Sequence, residues 1–140
     1  MTNFIFSLCN ILILFFWFLI IFFPKFSFTV KILKFPWVPI FIGFFYSYFI
    51  ILSGVFRDFD FTSLEGITEL FKKATPESAA AGWLHYLAFD FWVACWIVRH
   101  SQKKELSHGL IILPLLGTFM LGPVGLILYA MIFLFKNSKK

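Results

Sequence analysis

The stretch AAAGWLHYLAFDFWVACWIVRH, residues 79–100, places His85 and Asp90 in a run that is otherwise apolar or aromatic up to Val98 and ends with Arg99 and His100. His85 and Asp90 are the only side chains between Glu77 and Arg99 that readily carry charge near neutral pH. A run of about 20 apolar residues is long enough to cross a bilayer as a helix. The stretch therefore predicts a membrane protein, and ionisable groups inside such a helix mark candidate functional sites.

The composition of the whole chain supports this class of protein. Of the 140 residues, 61% are hydrophobic and 14% are charged, whereas a soluble domain has about 25% charged residues. The net charge of +5 comes from short basic clusters between apolar runs, which is typical of anchoring at lipid headgroups. We expect membrane lipid as a partner and exclude nucleic acid.

Four transmembrane helices are predicted, at about 4–23, 39–55, 76–99 and 110–135. They predict an all-α, four-helix membrane bundle in which residues 1–140 form a single integral membrane domain. Pro123 lies inside the fourth run, where it removes a backbone hydrogen bond and predicts a kink or break. The lysines and arginines divide equally between the two sides of such a bundle, so the positive-inside rule leaves its orientation open.

A short amphipathic helix is predicted between the second and third spans. TSLE, residues 62–65, matches the T-x-x-E capping box, so a helix is expected to start at Thr62 or Ser63. Its apolar residues follow at helical spacing, which favours a helix lying along the membrane surface, although a solvated loop helix fits the spacing equally well. At the other end of the linker, Thr75 and Pro76 predict the start of the third span.

Helical geometry separates the two ionisable residues of the third span. At about 100° per residue, His85 and Asp90 lie about 140° apart around the helix and do not form a contacting pair. Each side chain can contact a different neighbouring helix, or both can face one cavity from opposite sides of their own helix. As polar links between helices they would bond to Asn10, Tyr46, Tyr48 or Thr118. As catalytic residues, a protonated Asp90 would donate a proton and a neutral His85 would accept one.

Other candidate residues are aromatic or lie in linkers. Trp83, Tyr86 and Trp92 could line a site for a flat apolar ligand, and His108 is a further candidate substrate-binding residue, although packing and interfacial roles are the simpler interpretations. Cys9 and Cys95 show no metal-ligand spacing, so no metal site is predicted. No cofactor is indicated, and motifs of soluble enzymes are absent.

Two segments of the chain resemble one known family. GWLHYLAFDFWVACWIVRH and HGLIILPLLGTFMLGPVGLILY are similar to the core of the abscisic-acid-deficient-four-like proteins, small integral membrane proteins of plant plastids and bacteria. The resemblance runs from about Pro36 to Tyr129. The positions that match the shared motif are Trp83, His85, Tyr86, Asp90, His108, Pro114, Gly122 and Pro123. Plant members are required for making neoxanthin from violaxanthin, which implies opening an epoxide and forming an allene.

The resemblance implies a protein that acts on a carotenoid or another isoprenoid, with carotenoid isomerisation as the reaction. A non-enzymatic pigment- or lipid-binding subunit of a membrane complex is the alternative, and a small proton-coupled transporter is a third. The first span begins close to Met1 without a Ser/Arg-rich transit peptide, so a multi-pass protein of a bacterial inner membrane is expected. The sequence leaves open whether the chain is an enzyme and whether it forms a homo-oligomer.

Overall fold

A computed structural model describes residues 1–55 and 60–137, and within these ranges the chain forms helices and no strand. The helices are α1 (Thr2–Phe22), α2 (Ser27–Lys34), α3 (Trp37–Ser53), α4 (Leu64–Lys72), α5 (Pro76–Lys103), α6 (His108–Leu121) and α7 (Pro123–Asn137). The described part of the chain is thus all-α, as the sequence predicts. Its grouping into a single domain stays a prediction.

Two helices, α1 and α5, have the length and apolar composition to cross a membrane. A third candidate span is the pair α2 and α3, which meet at a bend of 57°. The four-span bundle is not confirmed, because the predicted helix over 110–135 is divided into the shorter helices α6 and α7. The break falls between Leu121 and Pro123, where the sequence predicts it.

The N-terminal ends of α4 and α5 carry side-chain caps. Ser63 is the N-cap of α4 and accepts a hydrogen bond from the backbone N–H of Gly66. Thr75 is the N-cap of α5 and forms a reciprocal capping box with Ser78. These bonds satisfy N–H groups that have no partner inside a helix, and they confirm both predicted helix starts.

α5 is the central helix, and α1 runs parallel to it. The hydroxyl of Thr2 donates to the carboxylate of Glu77 at 3.0 Å, which joins the N-terminal ends of the two helices. Further along, Trp17 contacts Phe91 edge to face, with ring centroids 5.7 Å apart. Alanines on the buried face of α5 allow close approach of its neighbours, as small residues do in membrane bundles.

α3 packs antiparallel to α5. Near the start of α3, Pro39 lines the same groove as Trp92, and near its end Ile50 lines the same groove as Ser78. Between these two levels, the rings of Tyr46 and His85 lie 5.5 Å apart. The α3–α5 pair therefore spans most of the length of α5 and places Tyr46 beside His85.

α6 and α7 fold back on each other at Gly122. Gly122 has φ +41°, a left-handed value that favours glycine, and Pro123 starts α7, where its missing N–H has no cost. A Cβ atom placed on Gly117 would lie 3.1 Å from Cα of Gly125, so the two helices are in backbone contact. The sequence predicts a break here but not this antiparallel hairpin, which we call the α6–α7 hairpin.

The carboxylate of Asp60 organises the chain before α4. It accepts hydrogen bonds from the hydroxyl of Ser63 at 2.6 Å, and from the hydroxyl and the backbone N–H of Thr62 at 2.6 and 2.8 Å. These bonds favour the ionised form, with that from Ser63 contributing most, and they lower the pKa of Asp60 from 3.8 to about 2. The local stabilisation is complete above pH 3.8 and is lost as the pH falls towards 2.

We predict that Ser63→Ala raises the pKa of Asp60 towards its ordinary value, because the largest contribution is removed. The measurement is the pH dependence of the Asp60 carboxyl carbon shift by NMR in detergent micelles. Thr68→Ala is the control, since the Thr68 hydroxyl donates to the carbonyl of Leu64 and not to Asp60. Equal titration midpoints in the native protein and the Ser63 variant would contradict the prediction.

Candidate functional site

His85 lies on the face of α5 that is turned to α3. Its ring lies 5.5 Å from the ring of Tyr46 and 4.8 Å from that of Phe89, measured between centroids. Within the described residues neither His85 nor the Tyr46 hydroxyl forms a hydrogen bond. Both groups can therefore bond to a molecule that enters between the helices, and histidine is the side chain that most often acts as a general acid or base.

Two grooves meet at His85 and Tyr46. The large α3–α5 groove has a volume of about 530 Å³ and is lined in part by residues of α4 and its flanks, including Phe61, Leu70 and Phe71. The small α3–α5 groove has a volume of about 260 Å³ and extends to Pro36. Together they run from Ser78 to Trp92 of α5, about 21 Å at 1.5 Å per residue. This shape suits an extended, apolar molecule with a polar group near its middle.

The side chain of Asp90 lies on the opposite side of α5 from His85. It is half-buried and lines a third cavity, the hairpin groove, of about 470 Å³ between α1, α5 and the tip of the α6–α7 hairpin. A Cβ atom on Gly122 would lie 2.5 Å from Oδ1 of Asp90. The carboxyl group therefore sits directly against the hairpin tip, and a larger residue at Gly122 would displace it. His85 and Asp90 thus face different helices, which is one of the two arrangements that helical spacing allows.

The aromatic candidates of α5 border these cavities. Trp92 lines the small α3–α5 groove, and Trp83 and Tyr86 each line both the large α3–α5 groove and the hairpin groove. Trp83 is also fixed in place, because its indole N–H donates to the side-chain oxygen of Asn10 at 2.9 Å. Trp83 and Tyr86 thus form the wall that separates the His85 side of α5 from the Asp90 side.

His108 lies away from the other candidates. The N–H of its Nε2 atom donates to the backbone carbonyl of Ile21 at 2.8 Å. Ile21 lies in the last turn of α1. Backbone carbonyls in the last turn of a helix have no hydrogen-bond partner inside that helix. Along α6, His108 is about 20 Å from Gly122 and therefore from Asp90. The hydrogen bond of His108 joins α1 to α6. His108 lines none of the three grooves.

The region that contains these cavities also matches a known family. The sequence profile of the ABA4-like family, described as ABA DEFICIENT 4-like, matches residues 4–129. The chain belongs to the ABA DEFICIENT 4-like family. No curated protein and no solved structure matches it.

The part of the chain matched by the ABA DEFICIENT 4-like family contains a further polar cluster. Nδ1 of His100 and the hydroxyl of Tyr129 are 2.6 Å apart and share a hydrogen bond. Trp96 stacks on His100, with ring centroids 5.0 Å apart and an interplanar angle of 9°. This cluster fixes α7 to the C-terminal part of α5. His100 is thereby occupied with packing between α5 and α7.

Sequence reasoning did not identify all residues around His85. The sequence indicates Tyr46 only as a polar partner, and it does not predict the open floor of the large α3–α5 groove at Gly82. A Cβ atom on Gly82 would meet nothing within 4 Å, although Gly82 shares the face of His85 in the helical pattern. In the described part of this ABA DEFICIENT 4-like chain, no three histidine, cysteine, aspartate or glutamate residues gather to form a metal site.

Proposed function

We propose that this protein binds a carotenoid or a related isoprenoid in the two α3–α5 grooves and isomerises it with His85 and Tyr46. The observation that carries the proposal is a pair of side chains, His85 and Tyr46, that form no hydrogen bond within the described residues and lie at the junction of two mainly apolar grooves of about 530 and 260 Å³. Family membership supports the class of ligand, because the family is named for a deficiency in abscisic acid, a hormone derived from epoxy-carotenoids. The setting we propose is a bacterial inner membrane.

The chemistry of an epoxide-to-allene isomerisation requires one acid and one base. The Tyr46 O–H would donate its proton to the epoxide oxygen while a C–O bond breaks. His85 would remove a proton from the polyene carbon as the allene forms. Proton transfer from His85 back to Tyr46 restores both groups, so the substrate changes without gain or loss of atoms. Groups of this kind contribute about 10²–10⁴-fold to rate.

Asp90 has a different place in this proposal. It lies across α5 from His85 and faces the hairpin groove, so we assign it the positioning of the hairpin tip. A direct role for Asp90 as the acid is the competing assignment, and it requires the substrate to reach across the Trp83 and Tyr86 wall. The two assignments differ in the expected effect of Asp90→Asn on conversion.

The function can be tested in bacterial cells that make epoxy-carotenoids, with pigments separated by chromatography. We expect a new isomer in cells that contain the protein. An unchanged pigment profile across several epoxy-carotenoids, with the protein verified in the membrane, would exclude the isomerase. Visible absorbance that co-purifies with the protein in mild detergent without product would instead support the alternative, a pigment-binding subunit.

We predict that Gly82→Leu lowers both pigment binding and conversion at least tenfold, because the added side chain fills the large α3–α5 groove. The space above Gly82 is open, so the fold should be retained. Gly109→Leu is the matched control: Gly109 lies in the first turn of α6, lines none of the three cavities, and its nearest added contact is 3.8 Å away. Equal pigment retention by the two variants would show that the ligand lies elsewhere.

A further inference from the structure

The α6–α7 hairpin is too short for either arm to cross a bilayer. α6 has 14 residues and α7 has 15, which correspond to about 21 and 22 Å at 1.5 Å per residue, against about 30 Å of hydrocarbon. Because the arms lie side by side, their lengths do not add. The hairpin therefore reaches into the hydrocarbon without traversing it.

The depth of the hairpin is fixed by contacts with α5. Its tip at Gly122 touches Asp90, which lies midway between Pro76 and Lys103, the ends of α5. The tip is thus at the level of the membrane centre. At the other end, Nζ of Lys104 lies 5.9 Å from the ring centroid of Phe133. The free ends of both arms therefore lie at the Lys103 end of α5.

The bond between His100 and Tyr129 gives an independent measure of the direction of α7. Tyr129 follows Gly122 by seven residues, and His100 follows Asp90 by ten. α7 therefore runs alongside α5, from the membrane centre to the Lys103 end. A continuous fourth span would carry Tyr129 to the opposite half of the membrane, far from His100.

The fold-back collects the basic residues on one face of the protein. The described lysines and arginines at the Lys103 end, which we call the basic face, are Lys25, Lys31, Lys34, Arg99, Lys103, Lys104 and Lys136. Those at the opposite end are Lys72 and Lys73, which lie with the acids Asp60, Glu65, Glu69 and Glu77. α2 belongs to the basic face and is amphipathic, with Ile32 and Leu33 buried and Lys31 and Lys34 exposed.

We propose that α6 and α7 form a re-entrant hairpin, that the basic face lies in the cytoplasm, and that it binds anionic lipid headgroups. Short linkers rich in lysine and arginine remain on the cytoplasmic side of a membrane. The anionic leaflet on that side attracts lysines close to its surface. The hairpin decides the orientation, because it moves Lys136 to the side of the other basic linkers. This proposal is independent of the proposed activity.

Topology is tested with four variants, each of which replaces one exposed lysine with cysteine. Bacterial cells that contain each variant are treated with a membrane-impermeant maleimide. The native thiols can remain, because Cys9 and Cys95 are buried. Lys72→Cys should react in intact cells. Lys34→Cys, Lys104→Cys and Lys136→Cys should react only after permeabilisation.

The labelling pattern tests the hairpin and the membrane orientation separately. Reaction of the Lys136 variant together with the Lys72 variant would overturn the hairpin and restore a four-span topology. Reaction of the Lys34, Lys104 and Lys136 variants in intact cells, with the Lys72 variant protected, would overturn the orientation. A reporter domain fused after residue 140 gives a second measurement that needs no cysteine.

The lipid partner is tested with the purified protein in nanodiscs of zwitterionic lipid, with and without an anionic phospholipid. We expect anionic lipid to raise the Tm of the native protein. The rise should fall by at least half in Lys31→Gln/Lys34→Gln and remain in Lys72→Gln/Lys73→Gln, which removes the same charge from the other end. Equal losses in both variants, or no rise in the native protein, would overturn binding at the basic face.

Discussion

Gly125→Ala is expected to destabilise the protein by about 3 kcal/mol, the upper range for forcing extra atoms into a packed site. A Cβ atom at this position would collide with the backbone N and the hydroxyl of Thr118 and with the carbonyl oxygen of Pro114. These are mostly backbone atoms in the facing helix, so no side-chain rotation relieves the contact. The arms of the α6–α7 hairpin would have to separate.

The measurement is thermal unfolding in detergent micelles, followed by circular dichroism. Gly82→Ala is the matched control, since it adds the same methyl group to a helical glycine with open space around it. That control should leave stability unchanged or raise it by about 1 kcal/mol, because alanine favours helix over glycine. If the two variants unfold at the same temperature, the close contact between α6 and α7 does not exist in the protein.

His85→Gln is expected to lower conversion of an epoxy-carotenoid by at least about 100-fold, the lower range for loss of a general base. Glutamine keeps a polar side chain of similar size but does not accept a proton near neutral pH. Pigment retention in mild detergent should change by less than about threefold, because most of the side chains that line the grooves are apolar. Chromatographic product analysis and the absorbance of the purified protein measure the two effects separately.

The effect of His85→Gln on conversion is compared with that of Asp90→Asn. We expect it to lower conversion less than about tenfold, because Asp90 opens on the hairpin groove. A loss as large as that of His85→Gln would show that Asp90 acts on the substrate. A small effect in both variants would show that the reacting groups are elsewhere. The variants must be compared at equal amounts of folded protein in the membrane.

The sequence predicts the positions of the helices because long apolar runs and capping residues act locally. α1, α3 and α5 lie close to the predicted spans, and Ser63 and Thr75 start their helices as expected. The direction of α7 could not be predicted. A glycine followed by proline inside an apolar run fits a kink as well as a reversal, and the deciding contact, between His100 and Tyr129, joins residues that are distant along the chain.

The candidate site was predictable to a similar extent. The angle between His85 and Asp90 follows from helical periodicity alone, so it could be derived that they do not form a contacting pair, but not that they face different grooves. The identity of their neighbours could not, because Tyr46 and Gly122 lie on other helices. His108 shows the same limit: its sequence position allows a binding role, and only the fold reveals that Ile21 occupies its Nε2–H.

The fold-back at Gly122 also affects how the chain would be inserted during synthesis. A fourth span would require the last polar segment to be moved through the membrane. With the proposed hairpin, the polar segment after α3 that must be translocated is the linker carrying α4, and the free ends of both arms of the hairpin stay on the side where the ribosome releases the chain. Gly122 and Gly125 would thus determine how much of the newly made chain the insertion machinery has to export.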